Sequence, residues 1–135
     1  MISCSATKRN LIDESALEVY DGPSYRILRK HPKDDLDILI LSAKYGLILA
    51  SQKISTYNQR MTDHIAHEIR KQTTDRLIKV LSKRVYKEIY VDLGKSYRNA
   101  IDFGDPWLKD LNIQFSVGTI GVRLHSLKTW LECDS

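Results

Sequence analysis

Leu36-Asp37-Ile38-Leu39-Ile40-Leu41 is an almost unbroken branched-aliphatic run of strand length, entered through Lys33-Asp34-Asp35 and left through Ser42-Ala43-Lys44-Tyr45-Gly46. Apolar residues at both odd and even positions require cover on both faces, which places this strand inside a parallel sheet. Shorter runs at residues 1–6, 88–93 and 113–117 have the same character and predict three further strands. Between them the period changes to that of helices. Residues 15–20 carry Ala16, Leu17 and Tyr20 on one face, and Pro23 starts a second helix that His31-Pro32 closes. Thr62 or Asp63 caps the longest helix, which runs to about Lys83 with Ile65, Ile69, Leu77, Val80 and Leu81 on its inner stripe. A helix follows Gly94, a short turn begins at Asp105-Pro106, and the last helix carries Val122, Leu124, Leu127, Trp130 and Leu131. Residues 47–61 have no clean period and read as an ordered loop.

This alternation predicts a single α/β domain with a mainly parallel four-stranded sheet and helices on both faces. In such sheets ligands bind at the carboxyl ends of the strands. Four junctions would then share one edge, at residues 3–8, 42–46, 94–97 and 118–123. Each holds small residues and one cation: Lys8, Lys44, Lys95 or Arg123. Gly46, Gly94, Gly118 and Gly121 permit sharp turns, and the helix starts that follow offer N–H groups to an anion. The coincidence of four junctions favours a phosphate or carboxylate site over the ordinary frequency of glycine and lysine in turns.

The 135 residues suffice for one core, with a formal charge of +4 and a pI near 9.1. That mild basic excess suits phosphate-bearing partners without requiring them. With no bilayer-length apolar run and no leader pattern, the expectation is a cytosolic protein with no membrane association. Cys4 and Cys133 are then expected as free thiols. His64 and His67 beside Glu68 lack a third ligand, so neither metal nor cofactor is predicted. Gly94-Lys95-Ser96 lacks the upstream glycine of a phosphate-binding loop.

Several phrases together carry a resemblance: Ile2-Ser3-Cys4-Ser5-Ala6-Thr7-Lys8, Tyr20-Asp21-Gly22-Pro23-Ser24-Tyr25, Leu41-Ser42-Ala43-Lys44-Tyr45-Gly46-Leu47-Ile48, Tyr57-Asn58-Gln59-Arg60-Met61 and Gly118-Thr119-Ile120-Gly121-Val122-Arg123-Leu124. Over nearly its whole length the chain resembles an uncharacterised bacterial and phage domain family of unknown function. In the strand-to-loop phrase with Tyr57 and Arg60 it is distantly similar to the YaaA-like peroxide-stress proteins. The resemblance implies a compact α/β domain with a polar cleft, and YaaA-like proteins are associated with DNA binding.

Two functions follow from these residues, with a third left open. The first is an enzyme acting on a nucleotide, nucleoside or modified base. Lys8, Lys44 and Arg123 would anchor its anionic substrate, with Gly94, Lys95, Gly118 and Gly121 at the same edge. Ser3, Ser5 or Ser42 would hydrogen-bond the reacting group, Tyr45 or Tyr57 would stack or act as an acid, and Arg60 would close over the strand ends. The second is a nucleic-acid-binding module using that basic edge with Arg70, Lys71, Arg76, Lys79 and Lys83. The third is a non-catalytic accessory protein of a phage or defence system. Substrate, reaction and oligomeric state are not specified by the sequence.

Overall fold

In the computed structural model, which describes residues 1–5 and 7–132, the chain runs β1 (Ile2–Ser3), β2 (Glu14–Ser15), α1 (Ala16–Val19), α2 (Pro23–Lys30), β3 (Leu39–Ser42), β4 (Gly46–Leu49), β5 (Lys53–Ile54), α3 (Asp63–Leu81), β6 (Ile89–Val91), α4 (Lys95–Arg98), α5 (Pro106–Lys109), β7 (Ile113–Phe115) and α6 (Ile120–Glu132). Cys133 lies outside the described residues, and Cys4 forms no disulfide among them.

The structure is mixed α/β, but its sheets correct the expected four-stranded parallel arrangement. β3 lies between β1, to which it is parallel, and β4, to which it is antiparallel. β6 and β7 form a separate parallel pair, joined to β1 by the single parallel bridge of Ile2 with Asp92. β2 and β5 make a small antiparallel pair. With only two residues, β1 is too short to sustain a ladder on both of its edges. The place beside β3 goes instead to β4, because the chain reverses between Ser42 and Gly46. Gly46 makes that reversal at φ +72°, a conformation glycine reaches without steric cost.

Residues 47–61 are likewise not a loop throughout. Leu47 and Ile48 pack into different cores, so β4 is covered on both faces. A strand of this kind has no polar side, which is why its period was invisible. The same alternation runs through β3. Leu39 and Leu41 join Val91, Ala66 and Leu77 in one core, while Ile40 joins Tyr90, Val19, Leu28 and Leu127 in the other. Helices thus pack against both faces. α3 begins where Thr62 accepts the Ile65 amide at 3.1 Å, and it buries Ala66, Leu77 and Leu81. No helix among the described residues is long and apolar enough to cross a membrane.

Candidate functional site

Three segments converge beyond the end of β3. The basic stretch after β1 is pinned by an antiparallel bridge between Lys8 and Tyr20, by the Arg9 amide on the Val19 carbonyl at 2.8 Å, and by ion pairs of Arg9 with Glu18 and Asp21. Residues 56–57 are held against it. The Thr56 amide donates to the Leu11 carbonyl at 3.1 Å, and its hydroxyl donates to the Arg9 carbonyl at 2.5 Å. From the third segment, Ser42 accepts the amides of Lys44 at 3.1 Å and Tyr45 at 3.0 Å, so the turn is closed by its own side chain.

These constraints bring Tyr20, Ser42 and Tyr57 together. Ser42 Oγ lies 2.8 Å from the Tyr57 hydroxyl, which lies 2.6 Å from that of Tyr20. Both lone pairs of Ser42 Oγ are taken by amides, so its proton goes to Tyr57 and the Tyr57 proton goes on to Tyr20. Lys8 Nζ stands 4.6 Å from the centre of the Tyr57 ring, and Lys44 Nζ 5.5 Å from the same centre. Tyr45 meets Tyr57 edge to face at 5.4 Å. Cys4 Sγ, also on this side, is 3.0 Å from the Tyr97 hydroxyl.

The electrostatics of the cluster have one direction. Burial raises the Tyr57 pKa, with the bond to Ser42 opposing the rise and that to Tyr20 adding to it. Burial likewise pushes Tyr20 up to about 12, and raises Tyr97 with help from its bond to Cys4. All three phenols therefore remain proton donors at neutral pH. Partial burial lowers the Lys8 pKa, the neighbouring Cys4 offsetting this in part. Among the described residues neither Lys8 nor Lys44 has a carboxylate partner. Two cations and a chain of hydroxyl donors can hold an anion but offer no base.

Of the residues singled out from the sequence, contacts connect Lys8, Ser42, Lys44, Tyr45 and Tyr57 in this one cluster. Ser5 is occupied elsewhere: its hydroxyl donates to the Thr7 carbonyl at 2.7 Å and would lie 2.7 Å from any Cβ at Gly22. The Ser3 carbonyl accepts the Tyr25 hydroxyl at 2.6 Å. Arg60 is exposed and makes no hydrogen bond, ion pair or ring contact among the described residues. Gly94 caps the four-residue α4, and Lys95 is exposed at its start. Gly118, at φ +97°, turns the chain from β7 toward α6, whose first turn holds Gly121. Arg123 donates from Nε at 2.9 Å and Nη2 at 2.7 Å to Oδ1 of the buried Asp92, and is spent on an internal ion pair.

Tyr20 was not singled out as a site residue, because its position on the inner face of a short helix reads as core. Its hydroxyl was the available signal, since no other apolar position of that face could donate a proton. Among the described residues no three His, Cys, Asp or Glu side chains gather to hold a metal ion, and His64 instead pairs with Glu68 at 2.9 Å on the exposed face of α3.

Neither the curated proteins nor the solved structures searched contain a match to the chain. A family model does match, described as a family of unknown function, DUF6884, and it spans residues 1–129 of the 135. The chain therefore belongs to the DUF6884 family.

Proposed function

We propose that the chain is an enzyme that binds a nucleotide, nucleoside or modified base through an anionic group held between Lys8 and Lys44. The observation that carries this reading is the placement of two ammonium groups over one ring, at 4.6 and 5.5 Å from the centre of Tyr57, without a carboxylate between them. Two like charges set against one ring with no carboxylate to offset them favour an anion, and charge-assisted hydrogen bonds to phosphate are about twice as strong as neutral ones. Tyr45, half-buried and edge-on to Tyr57, offers a ring on which a base can stack. The Ser42–Tyr57–Tyr20 chain supplies protons, which suits it to neutralise charge developing on a leaving group. Asp92, the acid at the end of β6, is engaged by Arg123 and Ser116, so the base has to come from substrate or water.

The test is a calorimetric titration of the parent, Lys8→Ala, Lys44→Ala and Tyr57→Phe with nucleoside mono- and triphosphates, nucleosides and inorganic phosphate. The expected result is binding of a phosphorylated ligand that weakens about tenfold on loss of either lysine, the equivalent of roughly 1.4 kcal/mol. Equal binding by parent and lysine variants removes the site. Duplex DNA is the competing ligand. Binding to it that outweighs every nucleotide, with a slope of about −0.9 in log affinity against log salt per phosphate contact, would favour the nucleic-acid module.

A further inference from the structure

A cavity of about 360 Å³ opens at the amino edge of the sheet, where the segments leading into β3 and β6 pass the last turns of α6. Lys8, Ser42, Lys44 and Tyr57 take no part in lining it. Its volume lies toward the lower end of the roughly 300–1,000 Å³ typical of small-molecule sites. One wall is aromatic: Tyr90 and Trp130 stack with their ring centres 5.2 Å apart and an interplanar angle of 29°. Leu28, Leu36 and Leu127 supply apolar surface beside them.

Two polar groups in the lining have bonding capacity left over. Tyr90 is only 4% exposed, and its hydroxyl has no hydrogen-bond partner among the described residues. Asp92 is 3% exposed and uses one oxygen three times, since Oδ1 accepts from Ser116 Oγ, Arg123 Nε and Arg123 Nη2. Oδ2 accepts no hydrogen bond from the described residues. A buried hydroxyl left unpaired is unfavourable, so a ligand that gives Tyr90 an acceptor, and Asp92 Oδ2 a donor, binds with a gain the free protein does not have. Charge narrows the class. Arg123 already balances the Asp92 carboxylate, the Met1 amino group in the same lining also interacts with it, and a cationic ligand would stand beside both, whereas a neutral N–H donor would not be repelled. Burial, and after it the Asp92 carboxylate, raises the Tyr90 pKa, so this phenol offers a proton and requires an acceptor.

We propose that this cavity binds a neutral, flat heteroaromatic molecule of one or two fused rings that carries an N–H donor beside an acceptor atom. The donor meets Asp92 Oδ2, the acceptor takes the Tyr90 proton, and the ring lies along the wall that Tyr90 and Trp130 share. This site is independent of the Lys8 and Lys44 cluster: a ligand there needs negative charge, and one here needs none.

The test uses 7-azaindole, a neutral bicycle with adjacent donor and acceptor nitrogens, and indene, which has nearly the same shape and neither group. Both are titrated into the isotope-labelled parent and followed by NMR. The expected result is that 7-azaindole moves the Trp130 side-chain N–H signal and the amides of β6 while leaving those of Lys44 and Tyr45 in place. Indene should bind about 25-fold more weakly, the usual worth of two hydrogen bonds. Tyr90→Phe, which removes one of the two, should weaken 7-azaindole about fivefold and leave indene unchanged. Ile38→Trp, which fills the cavity from its lining, should abolish both responses. Absence of any Trp130 shift, equal affinity for the two probes, or an undiminished response in Ile38→Trp would overturn the proposal. The comparison of probes on the parent decides the matter even where a variant fails to fold.

Discussion

The Tyr57 hydroxyl takes a proton from Ser42 and gives its own to Tyr20, and its removal takes a partner from each. Ser42 and Tyr20 are both wholly buried, so water cannot readily repair the loss. Tyr57→Phe is therefore expected to destabilise the fold by about 1–3 kcal/mol in urea unfolding, with little change in m-value. Tyr20 adds a pH dependence whose sign is fixed. Its pKa is about 12 in the folded chain against an ordinary value of 10.0, so the unfolded chain loses the phenol proton first. Above about pH 10 the unfolded state binds fewer protons than the folded one, and stability falls as pH rises until about pH 12. Urea midpoints measured over this window, with tyrosinate absorbance as a second probe, should decline together. A midpoint independent of alkaline pH would mean that Tyr20 is not shielded. At Gly118 the constraint is steric, for φ is +97° and a Cβ would lie 3.1 Å from Val122. Gly118→Ala should cost on the order of 1–3 kcal/mol, read from the same unfolding curves.

At the level of elements, α3 is the helix whose sequence and structure agree in most detail. Thr62→Ala should lower stability by about 1 kcal/mol, since the Ile65 amide then loses its acceptor, whereas Thr62→Ser should largely preserve it. α3 was legible because its signals are local: a cap, an early acidic residue and an apolar stripe at helical spacing. Pro23 at the start of α2 and Asp105 capping α5 are legible for the same reason. β4 was not legible, because Leu47 and Ile48 serve opposite cores and leave no alternation to read. β2 and β5 were missed for another reason. Each has only two residues, and they exist through pairing with one another across the chain. The cluster around Tyr57 was half visible. Lys8, Ser42, Lys44, Tyr45 and Tyr57 stand out by residue type, but nothing local says that Tyr20 will present its hydroxyl to them. For Arg123 the position at a strand end is legible, while its ion pair with the buried Asp92 carboxylate, 31 residues away, is not.

For the molecule as a whole, the contact of Asp92 with Arg123 ties α6 to the end of β6. Deleting one partner of a buried ion pair typically costs 3–5 kcal/mol because the other charge stays buried. Arg123→Gln should accordingly lower the melting temperature by on the order of 10 °C in a domain of this size. A loss of ligand affinity without loss of stability would instead return Arg123 to the binding edge. The bridge of Ile2 with Asp92 has a consequence of a different kind, for the kinetics of folding. β1 is the first strand of the chain, yet its partners are β3 on one side and the end of β6 on the other, so it cannot find its place until most of the sequence is present. Closing contacts over such separations is entropically slow, and local hairpins such as β3 with β4 form ahead of them. In pulse-labelling hydrogen exchange the amides of Cys4 and Asp92, which donate at 2.9 Å to the carbonyls of Leu41 and Met1, should gain protection together and after those of the hairpin. β1 would then complete its pairing late, and a chain that ends before β6 would carry it unpaired on one edge, open to capture by another chain.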